Sequence, residues 1–109
     1  QFTGLMSFTA QEKSAAALSP GDSLNFKLGQ MIMVGINDRK TIEPGDPILQ
    51  EIRSGKLGGI ILFEKNISEQ NAENTLKKMV GDLQAAATFP LLVTIDEEGG
   101  NVHRLKPKY

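Results

Sequence analysis

Three acids followed by two glycines stand in the stretch IDEEGGNVHRL, from Ile95 to Leu105. Carboxylates can perform general acid–base chemistry, or they can accept hydrogen bonds from a ligand's hydroxyl groups. Asp96 follows directly on an apolar run, so we expect it at the end of a strand, where the backbone holds a side chain rigidly. Successive side chains leaving a strand point in opposite directions, so these acids do not form a facing catalytic pair. We therefore interpret Asp96 as a ligand-binding carboxylate.

The neighbours of Asp96 each have two interpretations. Gly99 and Gly100 allow positive φ and close backbone approach to a ligand, or they form a turn that ends the strand. Glu97 is interpreted as a solvated surface acid. Glu98 either contacts a ligand or forms an ion pair with Arg104 that shapes the loop.

The sequence contains no complete motif for metal binding, phosphate binding or nucleophilic catalysis. His103 is the single histidine and the chain has no cysteine, which predicts no metal site. Glycine-rich phosphate loops, EF-hand loops and the GxSxG nucleophile motif are all absent from the sequence. No cofactor is expected.

The elements that would position these residues are three unbroken apolar runs with helical patterns between them. Apolar runs of this length are typical of parallel strands covered on both faces. The first intervening helix is predicted after Asp46 with Gly55 just past its end, and the second from Ser68 to about Ala87. The strands are predicted at Met31–Ile36, Gly58–Phe63 and Leu91–Asp96.

This alternation repeats about every 30 residues, the length of a βαβ module, and predicts an α/β fold with a parallel sheet. A doubly wound open sheet and a (β/α)8 barrel both fit the pattern. In either architecture the carboxyl ends of the strands carry the site. Three segments are therefore expected to converge there: Gly35–Asp38, Glu64–Asn66 and Asp96–Arg104.

Composition narrows the class of protein. The chain has 109 residues and a formal net charge of −1, so it can form one small core and carries no basic excess for a nucleic-acid partner. The absence of cysteine excludes a disulfide scaffold. No apolar run approaches the roughly 18 residues of a membrane-spanning helix.

The first 23 residues are predicted to precede the domain. Residues 1–10 resemble the end of a secretory signal peptide with cleavage after Ala10, which indicates a periplasmic or secreted protein. The alternative is a frayed terminal segment and a cytoplasmic protein. Residues 11–23 have the composition of a linker, and Asp22 or Ser23 is expected to cap a helix carrying Leu24, Phe26 and Leu28.

Four blocks of the sequence resemble the N-terminal domain of glycoside hydrolase family 3, nearest to its bacterial β-N-acetylhexosaminidase (NagZ-like) branch. The resemblance covers residues 24–109. The blocks are KLGQMIMVGI (27–36), GKLGGIILFEKNI (55–67), LQAAATFPLLVTIDEEGG (83–100) and VHRLKPKY (102–109).

This resemblance implies a (β/α)8 TIM-type barrel that removes terminal N-acetylglucosamine from glycans such as peptidoglycan fragments, with retention at the anomeric carbon. Asp96 matches the family's aspartate that binds hydroxyls of the terminal sugar. Glu98, Gly99, Gly100 and Arg104 match the motif's other fixed positions and are expected to shape the pocket. Glu97 and Asn101 depart from it, since glutamine and a basic residue are common there.

The family's lysine–histidine segment, its general acid/base histidine and its aspartate nucleophile have no counterpart in these residues. With three strands of eight, the chain is expected to be the inactive N-terminal part of a longer enzyme, with an uncovered apolar sheet face. Two alternatives stay open: a family 3 β-glucosidase, and a noncatalytic sugar-binding module. The sequence does not predict an oligomeric state.

Overall fold

The computed structural model describes residues 20–101 and 103–105; for residues 20–22 it describes the backbone. The predicted leader (residues 1–10) and residues 11–19 of the predicted linker lie outside this range. Three parallel strands alternate with helices, so the predicted α/β class is confirmed. The elements are α1 (Pro20–Gln30), β1 (Met33–Gly35), α2 (Pro47–Arg53), β2 (Gly59–Leu62), a 3-10 turn (Glu64–Asn66), α3 (Ala72–Ala86) and β3 (Leu92–Ile95).

The sheet has the order β1-β2-β3, which is also the order along the chain. Met33 pairs with Gly59, which pairs in turn with Leu92, and every pairing is parallel. All three strands consequently end at the same edge of the sheet. Within the described residues no helix is long and apolar enough to cross a membrane.

Helices α2 and α3 cover one face of the sheet. Ile60 of β2 and Leu83 of α3 are fully buried, and Met79 of α3 and Ile52 of α2 are nearly so. The predicted apolar face of α3 is confirmed, since its buried residues recur at helical spacing while Lys77 and its neighbours on the opposite side are exposed. This layer forms the core.

The opposite face of the sheet is open, which corrects the expectation that both strand faces are covered. Leu92 is 59% exposed and Met33 is 40% exposed. They flank Gly59, whose missing side chain leaves room for the methionine. The open apolar face expected for three strands of a barrel is therefore present.

Helix α1 packs against the loop before β2 through glycines. A Cβ on Gly29 would lie 2.0 Å from the carbonyl oxygen of Gly55, and one on Gly55 would lie 2.6 Å from the Phe26 ring. Phe26 also contacts Phe89, with ring centroids 4.7 Å apart. Of the three predicted apolar contacts of α1, only Phe26 packs in this way, because Leu24 and Leu28 are mostly exposed.

Two predicted helix starts differ from the structure. Helix α1 begins at Pro20, before the predicted caps Asp22 and Ser23. Helix α3 begins at Ala72 rather than at Ser68, because Asn71 has a left-handed backbone (φ 50°) that interrupts helical geometry just before it. The Ser68 hydroxyl instead accepts a hydrogen bond from the Gln70 amide, a local turn contact.

Candidate functional site

The three segments predicted to converge do lie together at the carboxyl edge of the sheet. The Asn66 amide group donates to the carbonyl oxygens of Asn37 (2.6 Å) and Arg39 (2.9 Å), joining the loops that follow β1 and β2. The third segment joins through the Asp96 backbone amide, which donates to Leu62 O at 3.0 Å. Parallel strand order thus places the acidic stretch beside the other two loops.

Asn66 is 1% exposed, and among the described residues it is the one polar or charged residue classed as buried. Its Oδ1 accepts a hydrogen bond from the Phe63 amide at 2.9 Å, so all three of its side-chain contacts are to backbone groups. Asn66 therefore stabilises the loops, and because it is buried it is not accessible to a ligand. Asn66 belongs to one of the three segments predicted to converge, but the sequence does not indicate this role.

A second contact stabilises the loop after β1. Arg39 Nε donates to Asp46 Oδ2 at 2.6 Å, and Asp46 Oδ1 accepts the Ile48 amide at 3.0 Å, which confirms Asp46 as the N-cap of α2. Burial alone would raise the pKa of Asp46, but the hydrogen bonds from Arg39 and Ile48 and the Arg39 charge together lower it. One carboxylate therefore connects the loop to the helix.

Asp96 is the acid directly after β3, where the sequence predicted it. Arg104 Nε donates to the Asp96 carbonyl oxygen (2.9 Å), and Arg104 NH2 donates to Asp96 Oδ2 (3.1 Å). Asp96 Oδ1 has no hydrogen-bond donor within residues 20–101 and 103–105. The Asp96 side chain is 37% exposed, so this oxygen remains free to accept a hydrogen bond.

Glu97, rather than Glu98, holds the loop. Its Oε2 accepts the amides of Arg104 (2.7 Å) and Leu105 (3.3 Å), and its Oε1 lies 2.9 Å from His103 Nδ1. The Arg104 amide lowers the pKa of Glu97 most, against the opposing effect of desolvation, and Leu105 and His103 lower it further. Glu97 is exposed, as predicted for a surface acid, but the sequence does not indicate these loop contacts.

The predicted ion pair between Glu98 and Arg104 is wrong, since Arg104 pairs with Asp96. Glu98 is exposed and has no hydrogen-bond or ion-pair partner in the described part of the chain. Ligand contact is the interpretation of Glu98 that stays open.

Gly99 and Gly100 have φ values of 74° and 58°. The predicted positive φ is confirmed, and a side chain at either position would be strained. Apart from the adjacent residues, no atom of the described chain lies within 4 Å of where a Cβ would stand on either glycine. Within that part of the chain the turn is therefore unpacked at both glycines.

The arrangement is suited to binding rather than to proton transfer. One oxygen of Asp96 is available, its other oxygen is neutralised by Arg104, and Glu97 is occupied by the loop. His103 contacts Glu97, and the described residues contain no group of three acids or histidines that could hold a metal ion. The edge therefore presents a carboxylate that can accept hydrogen bonds and a guanidinium that can donate them, the two capacities that hydroxyl groups complement.

Comparison with known proteins places these features in a family. The profile described as the glycosyl hydrolase family 3 N terminal domain matches residues 23–108. A solved structure of a glycoside hydrolase family 3 β-N-acetylglucosaminidase from Paenibacillus sp. superposes with a TM-score of 0.64 and 34% identity. That similarity covers 83% of this chain and 16% of the Paenibacillus protein.

Two relatives are also similar in sequence. An "Uncharacterized secreted glycosyl hydrolase" of Arthroderma benhamiae is 27% identical over 92% of this chain and 29% of its own length. A beta-hexosaminidase of Bordetella avium is 40% identical over 52% of this chain and 15% of its own length. The chain thus spans less than a third of the length of either relative.

Proposed function

Since the chain belongs to glycosyl hydrolase family 3 through its N-terminal domain, we propose that its protein hydrolyses terminal β-linked N-acetylglucosamine from glycans, with retention at the anomeric carbon. The named activities of the Bordetella and Paenibacillus relatives support this substrate class. The three parallel strands then form part of a (β/α)8 barrel, with residues 24–109 as the proposed barrel portion.

The observation that carries the proposal is the geometry of Asp96. A carboxylate at the carboxyl end of a barrel strand, oriented by Arg104 and with Oδ1 free, can accept a hydrogen bond from a sugar hydroxyl. Gly99 and Gly100 would let the ligand approach the backbone closely. We assign Glu98 and Arg104 to the same sugar-binding set.

None of the three consecutive acids is proposed as a catalytic residue. A retaining glycosidase needs a nucleophile and an acid/base on opposite sides of the scissile bond, with carboxyl groups about 5–5.5 Å apart where both are carboxylates. Glu97 is held by backbone amides, and Asp96 is held by Arg104. Asp96 would bind and orient the terminal sugar while groups elsewhere in the barrel cleave the bond.

The test is a paired assay of the full-length protein on chromogenic N-acetylglucosaminide and glucoside substrates. We expect a higher kcat/KM on the N-acetylglucosaminide. The reverse preference would identify a β-glucosidase, and inactivity on both would contradict the proposal. A signal-peptide reporter fusion would test export, which the description of the Arthroderma relative as secreted supports.

Asp96→Ala should raise KM for the preferred substrate. One charge-assisted hydrogen bond to the sugar is lost, which corresponds to about a 10- to 100-fold weaker interaction. The matched control is Asp82→Ala, because Asp82 is also 37% exposed and also pairs with a basic residue, but lies on α3. An unchanged KM in Asp96→Ala would remove Asp96 from the site.

A further inference from the structure

We propose that Glu97 is a positioning residue that fixes residues 103–105 so that Arg104 reaches Asp96. The part of this inference that concerns sugar rests on the proposed function. Its basis is the set of contacts that one carboxylate makes across the glycine turn. Both oxygens of the Glu97 carboxylate make contacts within this loop.

The Glu97 carboxylate contacts three consecutive residues on the far side of the turn. Oε2 accepts the backbone amides of Arg104 and Leu105 at 2.7 and 3.3 Å, and Oε1 lies 2.9 Å from Nδ1 of His103. Two of these contacts are to backbone atoms, so they define the path of the chain rather than the placement of one side chain. The returning segment is therefore attached to the strand end through Glu97.

Packing does not supply this attachment at the turn itself. Gly99 and Gly100 have no side chains, and no atom of residues 20–101 or 103–105 other than their neighbours lies within 4 Å of where a Cβ would stand. Both glycines have positive φ, which glycine adopts without steric strain. Their backbone conformation therefore does not by itself restrain the turn. Without the Glu97 contacts, residues 103–105 would lose their main described connection to β3.

The position of the Arg104 backbone decides where its guanidinium can reach. Nε and NH2 contact the carbonyl oxygen and Oδ2 of Asp96, a two-point contact that requires the arginine to approach from one direction. Arg104 thus donates its backbone amide to Glu97 and its side-chain N–H groups to Asp96. Glu97 acts on the sugar-binding carboxylate through Arg104.

The experiment compares Glu97→Ala with Glu97→Gln in the full-length protein. Glutamine keeps an acceptor oxygen for the backbone amides, whereas alanine keeps none. The control is Glu73→Ala, since Glu73 is another acid paired with a basic side chain (Lys77, 2.6 Å), on the exposed side of α3. Two measurements are made: amide hydrogen exchange at residues 103–105, and KM and kcat for the preferred sugar substrate.

We expect Glu97→Ala to speed exchange of the Arg104 and Leu105 amides and to raise KM about tenfold, the size expected when one charge-assisted hydrogen bond to substrate is lost. The kcat should change less than KM, because the lost interaction contributes to binding in both ground and transition states. Glu97→Gln should restore most of the affinity, and Glu73→Ala should match the wild type.

Unchanged exchange at Arg104 and Leu105 in Glu97→Ala would overturn the inference, as would an unchanged KM or a glutamine variant as impaired as the alanine variant. If both Glu97 variants fail to fold, the residue supports the fold as a whole and the inference is also wrong. If the wild-type protein cleaves neither substrate, the proposed function fails. The exchange measurement then decides by itself whether Glu97 holds the loop.

Discussion

At the scale of single residues, adjacent acids have different roles. The sequence predicts that Asp96 stands at a strand end and that the two glycines can adopt positive φ, because both follow from local chemistry. It offers Glu98, rather than Glu97, as the acid that could hold the loop. That choice depends on the direction from which the chain returns after the turn, which three-dimensional geometry determines and residue type does not.

Asn66 shows the same limit for a buried polar side chain. Asparagine is common in the loops that follow strands, and the residues around Asn66 in the sequence do not indicate that it is buried. Its partners, the carbonyl groups of Asn37 and Arg39, are nearly 30 residues away in the chain. A contact with partners that distant is invisible to a pattern-based prediction.

The pH dependence of stability is expected to include a contribution from Asp46. Its pKa is lowered in the folded chain, so its contribution is complete above the unfolded value of about 3.9 and is lost as the pH falls through the folded value. At neutral pH, Asp46→Asn should lower the free energy of unfolding by about 1 kcal/mol, since the amide still caps α2 but no longer pairs with Arg39.

Denaturant unfolding of the full-length protein from pH 7 to pH 3 would measure this effect. The difference between the wild type and Asp46→Asn should shrink as the pH drops below about 3.9. Asp38→Asn is the control, because the Asp38 side chain is 85% exposed and pairs with Lys65, which is itself exposed. A difference that grows on acidification would contradict the assignment.

At the scale of elements, the helices and strands could be predicted because apolar periodicity reports which side of an element is buried. Boundaries were less accurate. The first strand begins at Met33 and not at Met31, because Met31 and Ile32 donate their amides back to Leu28 and Gly29 and end α1. An apolar run in the sequence does not indicate which of its backbone amides will bond to a preceding helix.

Glycine substitutions in two helices should have opposite effects. Gly29→Ala should destabilise the protein by about 2–3 kcal/mol, since its Cβ would overlap the Gly55 carbonyl oxygen and force α1 away from the loop. Gly81→Ala should stabilise α3 by about 0.5–1 kcal/mol, because the added methyl group would meet no described atom within 4 Å outside the adjoining helix backbone and the two neighbouring residues. Thermal unfolding of both variants checks the pair; equal effects would show that helix propensity alone is at work.

At the scale of the molecule, the parallel sheet and its common carboxyl edge followed from the alternation of elements along the chain. The open face could be expected only from the family resemblance, since apolar strands by themselves predict cover on both faces. Met33 and Leu92 show the result, an apolar surface on strands whose other side is packed. Burial is a property of the assembled layers, which local sequence does not specify.

The 109-residue polypeptide, made alone, should therefore bind a hydrophobic dye and self-associate. Replacing Met33 and Leu92 together with lysine should reduce both effects, because the apolar area on the strands is lost. Met31→Lys is the control: Met31 is 83% exposed but precedes β1. Dye fluorescence and light scattering are the measurements. A monomeric, dye-free wild-type polypeptide would instead favour the sugar-binding module.

The order β1-β2-β3 also bears on how the chain is made. Each strand pairs with the one synthesised just before it, so every new strand meets a partner that has already left the ribosome. Each strand pairing in this sheet closes a single βαβ unit, so the conformational entropy lost on loop closure at each step is small. We expect this segment to assemble in the direction of translation, with β1 and β2 pairing first and β3 joining β2 afterwards.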